Sequence, residues 1–378
     1  MPWKETTTMS MRIEFIKLAK QDGANISELC RRFGISRKTG YKWLKRNREG
    51  GDSGLADRSR RPHHSPGRSS GETETMVVDV RRAHPVWGGR KIKAYLENKR
   101  QTGVPSASTI TEILRRNDQI EAEEALKHKS FQRFEMEQPN QLWQMDFKGY
   151  FLLGEGGYCH PLTVLDDHSR FLLGLKACSN ETRQTVQEQL TSIFRCFGLP
   201  ERMLMDNGRP WGFDADAPHT RLTAWLLNLG VQICHGRPYH PQTQGKDERL
   251  HRTMQAELIS QYSLSNLQEC QSCFDQWRDI YNFERPHEAL QMQPPISRYQ
   301  SSSTQFPETL PPIFYDTHDI VRKVDESGKI YFKGRVFRIS KAFCHYPVAL
   351  RPILQDDIYD VYFCQAKVAQ INLRVNNC

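Results

Sequence analysis

Three carboxylates stand where chemistry could use them. Asp206 closes the short apolar run "RMLMD" and is followed at once by the turn dipeptide Asn-Gly, and Asp146 lies inside "LWQMDFKGYF", which reads as a strand. An acid buried in a strand without a partner is costly, and two side by side are worse unless a divalent cation neutralises them. Mg²⁺ suits such a pair, because it takes few protein carboxylates and completes its shell with water and phosphate oxygens. A third acid comes from "HPQTQGKDERLHRTMQAEL", where Gly245 precedes a helix carrying Asp247, Glu248, Arg249, Arg252 and Gln255. Glu248, Arg252 and Gln255 share one face at i, i+4 and i+7, so a metal-binding acid is followed there by a cation and an amide. Asp247 points elsewhere. Helix capping is the alternative role for either acid, since carboxylates are favoured in a first turn.

The elements that must position these acids begin at Asn140. "LWQMDFKGYF" is a first strand, and "CHPLTVLDDHSRFLLGLKA" gives two more, joined through a turn at Asp166 and Asp167. The helix "TRQTVQEQLTSIFRCFG", the strand "RMLMD", the helix "TRLTAWLLNLG" and the strand "VQICH" follow. A meander of three strands and then alternating helices and strands predicts a mixed five-stranded sheet covered by helices. Asp146 then sits in the first strand and Asp206 at the end of the fourth, two strands that can be neighbours.

The charge is uneven. Residues 1–140 hold 28 Lys and Arg against 18 Asp and Glu, and the remainder holds 25 against 26, within a net charge of +9. A basic end on a chain with no amphipathic Lys-rich anchor points to nucleic acid rather than membrane. There Phe15, Leu18 and Ala19 repeat at helical spacing, and Ile26, Leu29, Cys30 and Phe33 mark a second helix. Gly34 supplies a turn, Ser36 a cap, and "SRKTGYKWLKR" a third helix, in the order of a helix-turn-helix. Its exposed face offers Arg37, Lys38, Thr39, Lys42 and Lys45 to double-stranded DNA. Residues 50–71 read as a Gly, Ser, Pro and Arg linker, with Arg58, Arg60 and Arg61 able to lie along a DNA backbone or in a minor groove. A second unit, residues 72–125, has "WGGRKIKAYLENK" and then "SASTITEILRRN", which buries Ile110, Ile113 and Leu114 and shows Ser108, Thr109, Arg115 and Arg116. On this reading residues 1–49 are the first DNA-binding domain.

The ten cysteines include one CxxC pair, Cys270 and Cys273, in "LQECQSCFDQWRDIY". No second ligand pair accompanies it, so helix packing is expected rather than zinc. With no leader or long apolar span, a reduced cytoplasmic protein is expected. Past a Pro-rich connector and a linker over residues 301–312, "DIVRKVDESGKIYFKGRVFRIS" alternates as strands broken by turns, the signal of a small β-barrel over residues 313–378, with Lys323, Lys329, Lys333, Arg335 and Arg338 clustered on it.

Taken in order, "LADRSRRP", "LWQMDF", "LDDHSRF", "MDNGRPW", "GRPYHPQTQGKDERLHRT" and "YNFERPHEAL" resemble the insertion-sequence transposases with a retroviral-integrase-like DDE core. The resemblance implies a ribonuclease H-like catalytic core over residues 136–300, between helix-turn-helix units and an integrase-type C-terminal barrel. It implies two Mg²⁺ ions, with Mn²⁺ able to substitute, on a catalytic set that maps to Asp146, Asp206 and Glu248. It also implies DNA contacts from Arg249, Arg252 and Gln255, with cleavage at element ends, joining of 3′-hydroxyls to target DNA, and a homodimer or larger assembly. The chain departs from the pattern in two places. Asp206 and Glu248 are 42 positions apart, wider than the commonest integrase spacing, with "RPWGFDADAPHT" inserted between them, whose Asp214 and Asp216 are expected in a loop. Gln255 stands where retroviral integrases tend to carry lysine. His235, His240 and His251 are expected as packing or phosphate-contacting residues. The alternative is a sequence-specific DNA-binding regulator with an inactive core.

Overall fold

A computed structural model of the chain describes residues 7–57, 69–120, 135–206, 208, 210–212, 219–235, 245–353 and 357–374. It divides into two compact units, residues 1–68 and 69–378.

In the first unit, α1 (Thr8–Ala19), α2 (Ile26–Arg32) and α3 (Arg37–Gly50) start on side-chain caps from Thr7, Asn25 and Ser36, each accepting from backbone N–H groups of the first turn. Gly34, at φ +63°, makes the turn between α2 and α3. The helices close on Phe15, Ile16, Cys30, Trp43 and Leu55. Gly40 is needed at their crossing, where a Cβ would meet Cys30 Sγ at 2.5 Å and Phe15 Cζ at 3.0 Å. The expected linker start at residue 50 is corrected. A 3₁₀ turn over Gly51–Leu55 follows α3, and Leu55 is fully buried. One leucine in a Gly- and Ser-rich stretch is enough to tie it down, and Arg12 clamps it by donating to Leu55 O at 2.8 Å and to Asp57 at 2.9 Å.

The second unit begins with α4 (Gly71–Ala83), α5 (Gly89–Asn98) and α6 (Ala107–Arg116) around Val77, Trp87, Ile92, Leu96, Ile110, Ile113 and Leu114. The cap Ser70 starts the first of these helices slightly ahead of the expected boundary. These helices dock on the rest of the unit. Lys91 of α5 reaches Glu257 at 3.6 Å, and Arg285 binds the same carboxylate through Nε and a terminal nitrogen at 3.0 Å. Tyr95 donates to Glu284, and Asn98 to Met292 O.

The sheet that follows is β1 (Trp143–Phe147), β2 (Phe151–Leu152), β3 (Tyr158–Asp166), β4 (Leu172–Cys178), β5 (Arg202–Met205) and β6 (Gln232–His235). Its order is β4-β3-β1-β5-β6, antiparallel through the first three and parallel from β1 onward, with the short β2 added to β3. This is the expected mixed five-stranded sheet with one small extension, because the chain turns after Phe147 instead of running on as a single strand. Alternation sends Met145, Leu162, Val164 and Met203 to one face, under α7 (Arg183–Phe197) and α8 (Arg221–Asn228). Leu165, Leu172 and Leu175 face α9 (Gly245–Met254) and α10 (Leu267–Asp279), each continued by a π-helical turn, Gln255–Ile259 and Ile280–Glu284. Cys270 and Cys273 pack there, and no three His, Cys, Asp or Glu among the described residues form a metal-holding group.

Residues 301–312 are not a free tether. Leu199 N donates to Thr304 O at 2.8 Å, Ser302 N to Phe197 O at 3.0 Å, and Arg195 pairs with Glu308. Beyond them β10 (Pro347–Pro352) pairs with β7 (Ile320–Lys323) and with β11 (Ile358–Phe363), which pairs with β12 (Ala366–Asn372). The hairpin β8 (Lys329–Phe332) and β9 (Arg335–Arg338) shares their core of Val324, Phe337, Phe343, Leu350 and Phe363, which takes in Ala224 and Leu227 of α8. No helix among the described residues is long and apolar enough to cross a membrane.

Candidate active site

Asp146 faces α9 from β1, opposite Thr163 of β3, and Asp206 is the residue after β5, the parallel neighbour of β1. Burial pushes Asp146 up to about 7, and the Asp206 charge adds to the shift. Burial also raises Asp206, against the pull of the Gly208 N–H, which donates to its Oδ1 at 3.0 Å, and of His235, whose Nδ1 lies 3.0 Å from its carbonyl oxygen. Two half-buried hard oxygen donors on neighbouring strands fit a divalent cation, whose charge would offset the burial that raises both.

Glu248 stands outside that pair. It is exposed in the first turn of α9. Its neighbour Asp247 points elsewhere, into the interior: it is 1% exposed, is held well above the ordinary carboxylate range by burial, and feels the charges of Asp146 and Asp167. Its Oδ1 has no hydrogen-bond partner. The signal was present in the sequence, since Asp247 shares an i, i+3, i+7 stripe with Leu250 and Met254, both buried.

Two anchors seat α9 beside β1. Lys246 pairs with Asp167, a fully buried acid that also accepts from Gln144 Nε2 of β1 at 2.6 Å and from Met136 N at 2.8 Å. The second is Thr163, whose hydroxyl donates to Asp146 O at 3.0 Å and therefore accepts from His251 Nε2 at 3.0 Å. Burial, and then Lys148, push His251 down to about 4, in keeping with that neutral ring. The Asp166 and Asp167 turn thus does more than join strands. Asp166 accepts from Ser169 and Asn140, and Asp167 ties the entry segment, β1 and α9 together.

Sequence reasoning missed Glu181. It ends the β4–α7 connection, lies 2.8 Å from His160 Nδ1, and adds to the raising of both Asp146 and Asp206. It carries no motif of its own.

The expected DNA contacts divide. Arg37, Lys38, Lys42 and Lys45 are exposed on α3, with Lys45 3.8 Å from Glu49 and Lys42 over the Trp43 ring at 4.9 Å. Tyr41, 59% exposed among them, was missed, although it stands four residues from both Arg37 and Lys45. Thr39 and Thr109 spend their hydroxyls near the caps Ser36 and Ser106, at 2.9 Å each, while Ser108 is exposed and Arg115 pairs with Glu112. Arg249 and Arg252 are exposed, Arg249 lying 3.5 Å from Glu288. Gln255 accepts from Lys148 Nζ at 2.6 Å. Arg58, Arg60, Arg61, Asp214, Asp216 and His240 lie outside the described residues.

Comparison with known proteins adds family matches along the chain. Residues 136–241 and 229–295 match models of the integrase core domain, and residues 319–378 match the C-terminal domain of IS481 family transposases. Residues 11–63 match a helix-turn-helix domain and residues 39–114 a homeodomain-like domain. The Gag-Pro-Pol polyprotein of Mason-Pfizer monkey virus is 31% identical over 123 residues, 32% of this chain and 6% of that polyprotein. Among solved structures, the simian T-cell lymphotropic virus intasome in complex with PP2A regulatory subunit B56 gamma is 13% identical, covering 79% of this chain and 96% of that one, with a TM-score of 0.40. The HTLV-2 integrase catalytic core domain in complex with magnesium is 14% identical, covering 39% of this chain and 88% of that one, with a TM-score of 0.30.

Proposed function

Since the chain belongs to the insertion-sequence transposases with a retroviral-integrase-like core, we propose that it binds the terminal repeats of its element, cuts at their ends and joins the freed 3′-hydroxyls to target DNA. The observation that carries this reading is the pair Asp146 and Asp206 on adjacent parallel strands, where burial, and then the Asp206 charge, push Asp146 up to about 7. Two Mg²⁺ ions, or Mn²⁺ in their place, would be held by Asp146, Asp206 and Glu248, and would supply Lewis-acid stabilisation of a phosphodiester and a water acidic enough to attack it. Asp146 must lose its proton to serve. His235 steadies the backbone at Asp206, while Lys246 and His251 hold the first turns of α9, which carry Glu248, against β1. Exposed Arg249 and Arg252 on the same helix contact the DNA backbone. The helices α3 and α6 read the repeats, the basic barrel surface adds nonspecific contacts, and a complex holding two ends contains at least two chains.

A second reading gives the third ligand to Asp247, which is buried, lacks a hydrogen-bond partner at Oδ1 and feels the charge of Asp146. One assay separates them. Asp146→Asn, Asp206→Asn and Glu248→Gln should each abolish Mg²⁺-dependent cleavage of end DNA and leave gel-shift binding intact, while Asp247→Asn keeps cleavage. Full cleavage by Glu248→Gln together with loss in Asp247→Asn transfers the role. Cleavage surviving in Asp146→Asn or Asp206→Asn overturns the proposed chemistry.

A further inference from the structure

The hairpin beside the acid pair has the wrong residues on its outer face. Phe151, Leu153 and Cys159 turn into the core, and alternation then calls for polar side chains outside. Instead Tyr150 is 68% exposed, Leu152 67% and Tyr158 52%, with Leu152 and Tyr158 paired in register across the two strands. The rings of Tyr150 and Tyr158 meet edge to face at 5.2 Å and 82°, and Tyr150 leans over His160 at 5.5 Å. His160 in turn holds Glu181 at 2.8 Å, the carboxylate whose charge reaches both Asp146 and Asp206. An exposed aromatic cluster is therefore joined, through His160, to Glu181, a carboxylate close enough for its charge to act on the acid pair.

We propose that Tyr150 and Tyr158 form a stacking platform for an unpaired nucleobase of the DNA strand lying at Asp146 and Asp206. This rests on the phosphodiester chemistry proposed above and names a new contact for its substrate. The chain itself sets the range. Tyr150 is four residues from Asp146, so the two Cα atoms are no more than about 14 Å apart. A stacked strand advances about 3.4 Å per nucleotide, which places the platform within roughly four nucleotides of the bond at the acids. Bases inside a duplex already have both faces stacked. A free aromatic face accordingly takes a base that is frayed or flipped, and does so for any sequence because every base has a π-face. Between acid and platform lies Lys148, its ammonium on Gln255, which supplies positive charge where a backbone would pass.

The test uses the full chain and two DNA hairpins, one with a short unpaired 3′ tail carrying a fluorescent adenine analogue and one fully paired. Wild-type protein should quench the analogue and bind the tailed hairpin more tightly. Tyr150→Ala and Tyr158→Ala should lose the quenching and bind the tailed hairpin about fivefold or more weakly, with the paired hairpin unaffected. Tyr150→Phe should behave as wild type. Unchanged quenching and affinity in the double alanine variant overturn the platform, as does a drop in oligomer mass on light scattering with no change in quenching, which would make the face a contact between chains. Mg²⁺-dependent cleavage of end DNA by the wild-type chain is measured alongside. Cleavage without any tyrosine effect sinks the platform and leaves the chemistry. A tyrosine effect in a chain that cleaves nothing sinks the chemistry and leaves a single-strand-binding surface.

Discussion

Asp146→Asn should stabilise the metal-free protein at pH 8 while ending its metal-dependent activity. Asp146 is pushed up to about 7 from an ordinary 3.8, mainly by burial and then by Asp206. A shift of that size corresponds to roughly 4 kcal/mol, as an upper bound for a side chain with some solvent access. Below the unfolded value both states hold the proton, and the contribution is fully present. Between about pH 4 and 7 the native chain keeps a proton that the unfolded chain has lost, so stability falls as pH rises and the contribution is gone above 7. Asparagine has no proton to lose. The variant and wild type should therefore unfold together near pH 4, and the variant should unfold on the order of 10 °C higher at pH 8. Mg²⁺ at pH 8 should raise the wild-type transition and not the variant's. Scanning calorimetry across this range, with chelator and then with Mg²⁺, reads both effects. Parallel wild-type and variant profiles from pH 4 to 8 would refute the claim that the acid pair is strained and in want of a cation.

Other outcomes follow from single contacts. Lys246→Met leaves Asp167 buried and uncompensated, and should destabilise the second unit by about 3–5 kcal/mol in denaturant unfolding at pH 7, where a loss below about 1 kcal/mol would mean that the pair does not anchor α9. Gly40→Ala should cost about 1–3 kcal/mol in the first unit, seen as a lower melting point of its helices by circular dichroism. Arg37→Ala should relax sequence preference for end DNA, and Lys42→Ala should weaken binding to all DNA and flatten its salt dependence by about one phosphate contact. Salt titrations on end and scrambled duplexes distinguish the two, and identical behaviour of both variants counts against reading by α3.

Much of the sheet was legible because its strands are short apolar runs bounded by turns, and an acid closing such a run, as at Asp206, is a local anomaly. That β1 and β5 could be neighbours was legible from strand order, and they pair. On α9 the polar face of Glu248, Arg252 and Gln255 was legible and is exposed, but the burial of Asp247 was not read. Counting from Glu248 gives a plausible polar stripe, and only the burial of Leu250 and Met254 shows that Asp247 lies on the inward one. Glu181 gave no local sign at all. Its place depends on His160, 21 residues earlier on β3, and such a meeting is made by the fold and not by spacing. Leu55 erred in the opposite direction, since a composition suited to a tether concealed one side chain that the three helices need.

Glu257 sits in the π-helical turn that continues the helix of Glu248, and it binds Lys91 of α5 and Arg285 at once, the latter only 7% exposed. Burial and Arg285 pull Lys91 down to about 8, against the attraction of Glu257, so the strap is dry enough for its charges to matter. On the proposed function, with α6 reading DNA and the acids beside α9 cutting it, such a strap would work as a ruler. The number of base pairs between what is recognised and what is severed would then be held by this carboxylate and its two cations, together with the Tyr95–Glu284 and Asn98–Met292 bonds. Moving the inner part of the repeat by a base pair or two should therefore displace the cut from the element's end, even where every base contact is kept.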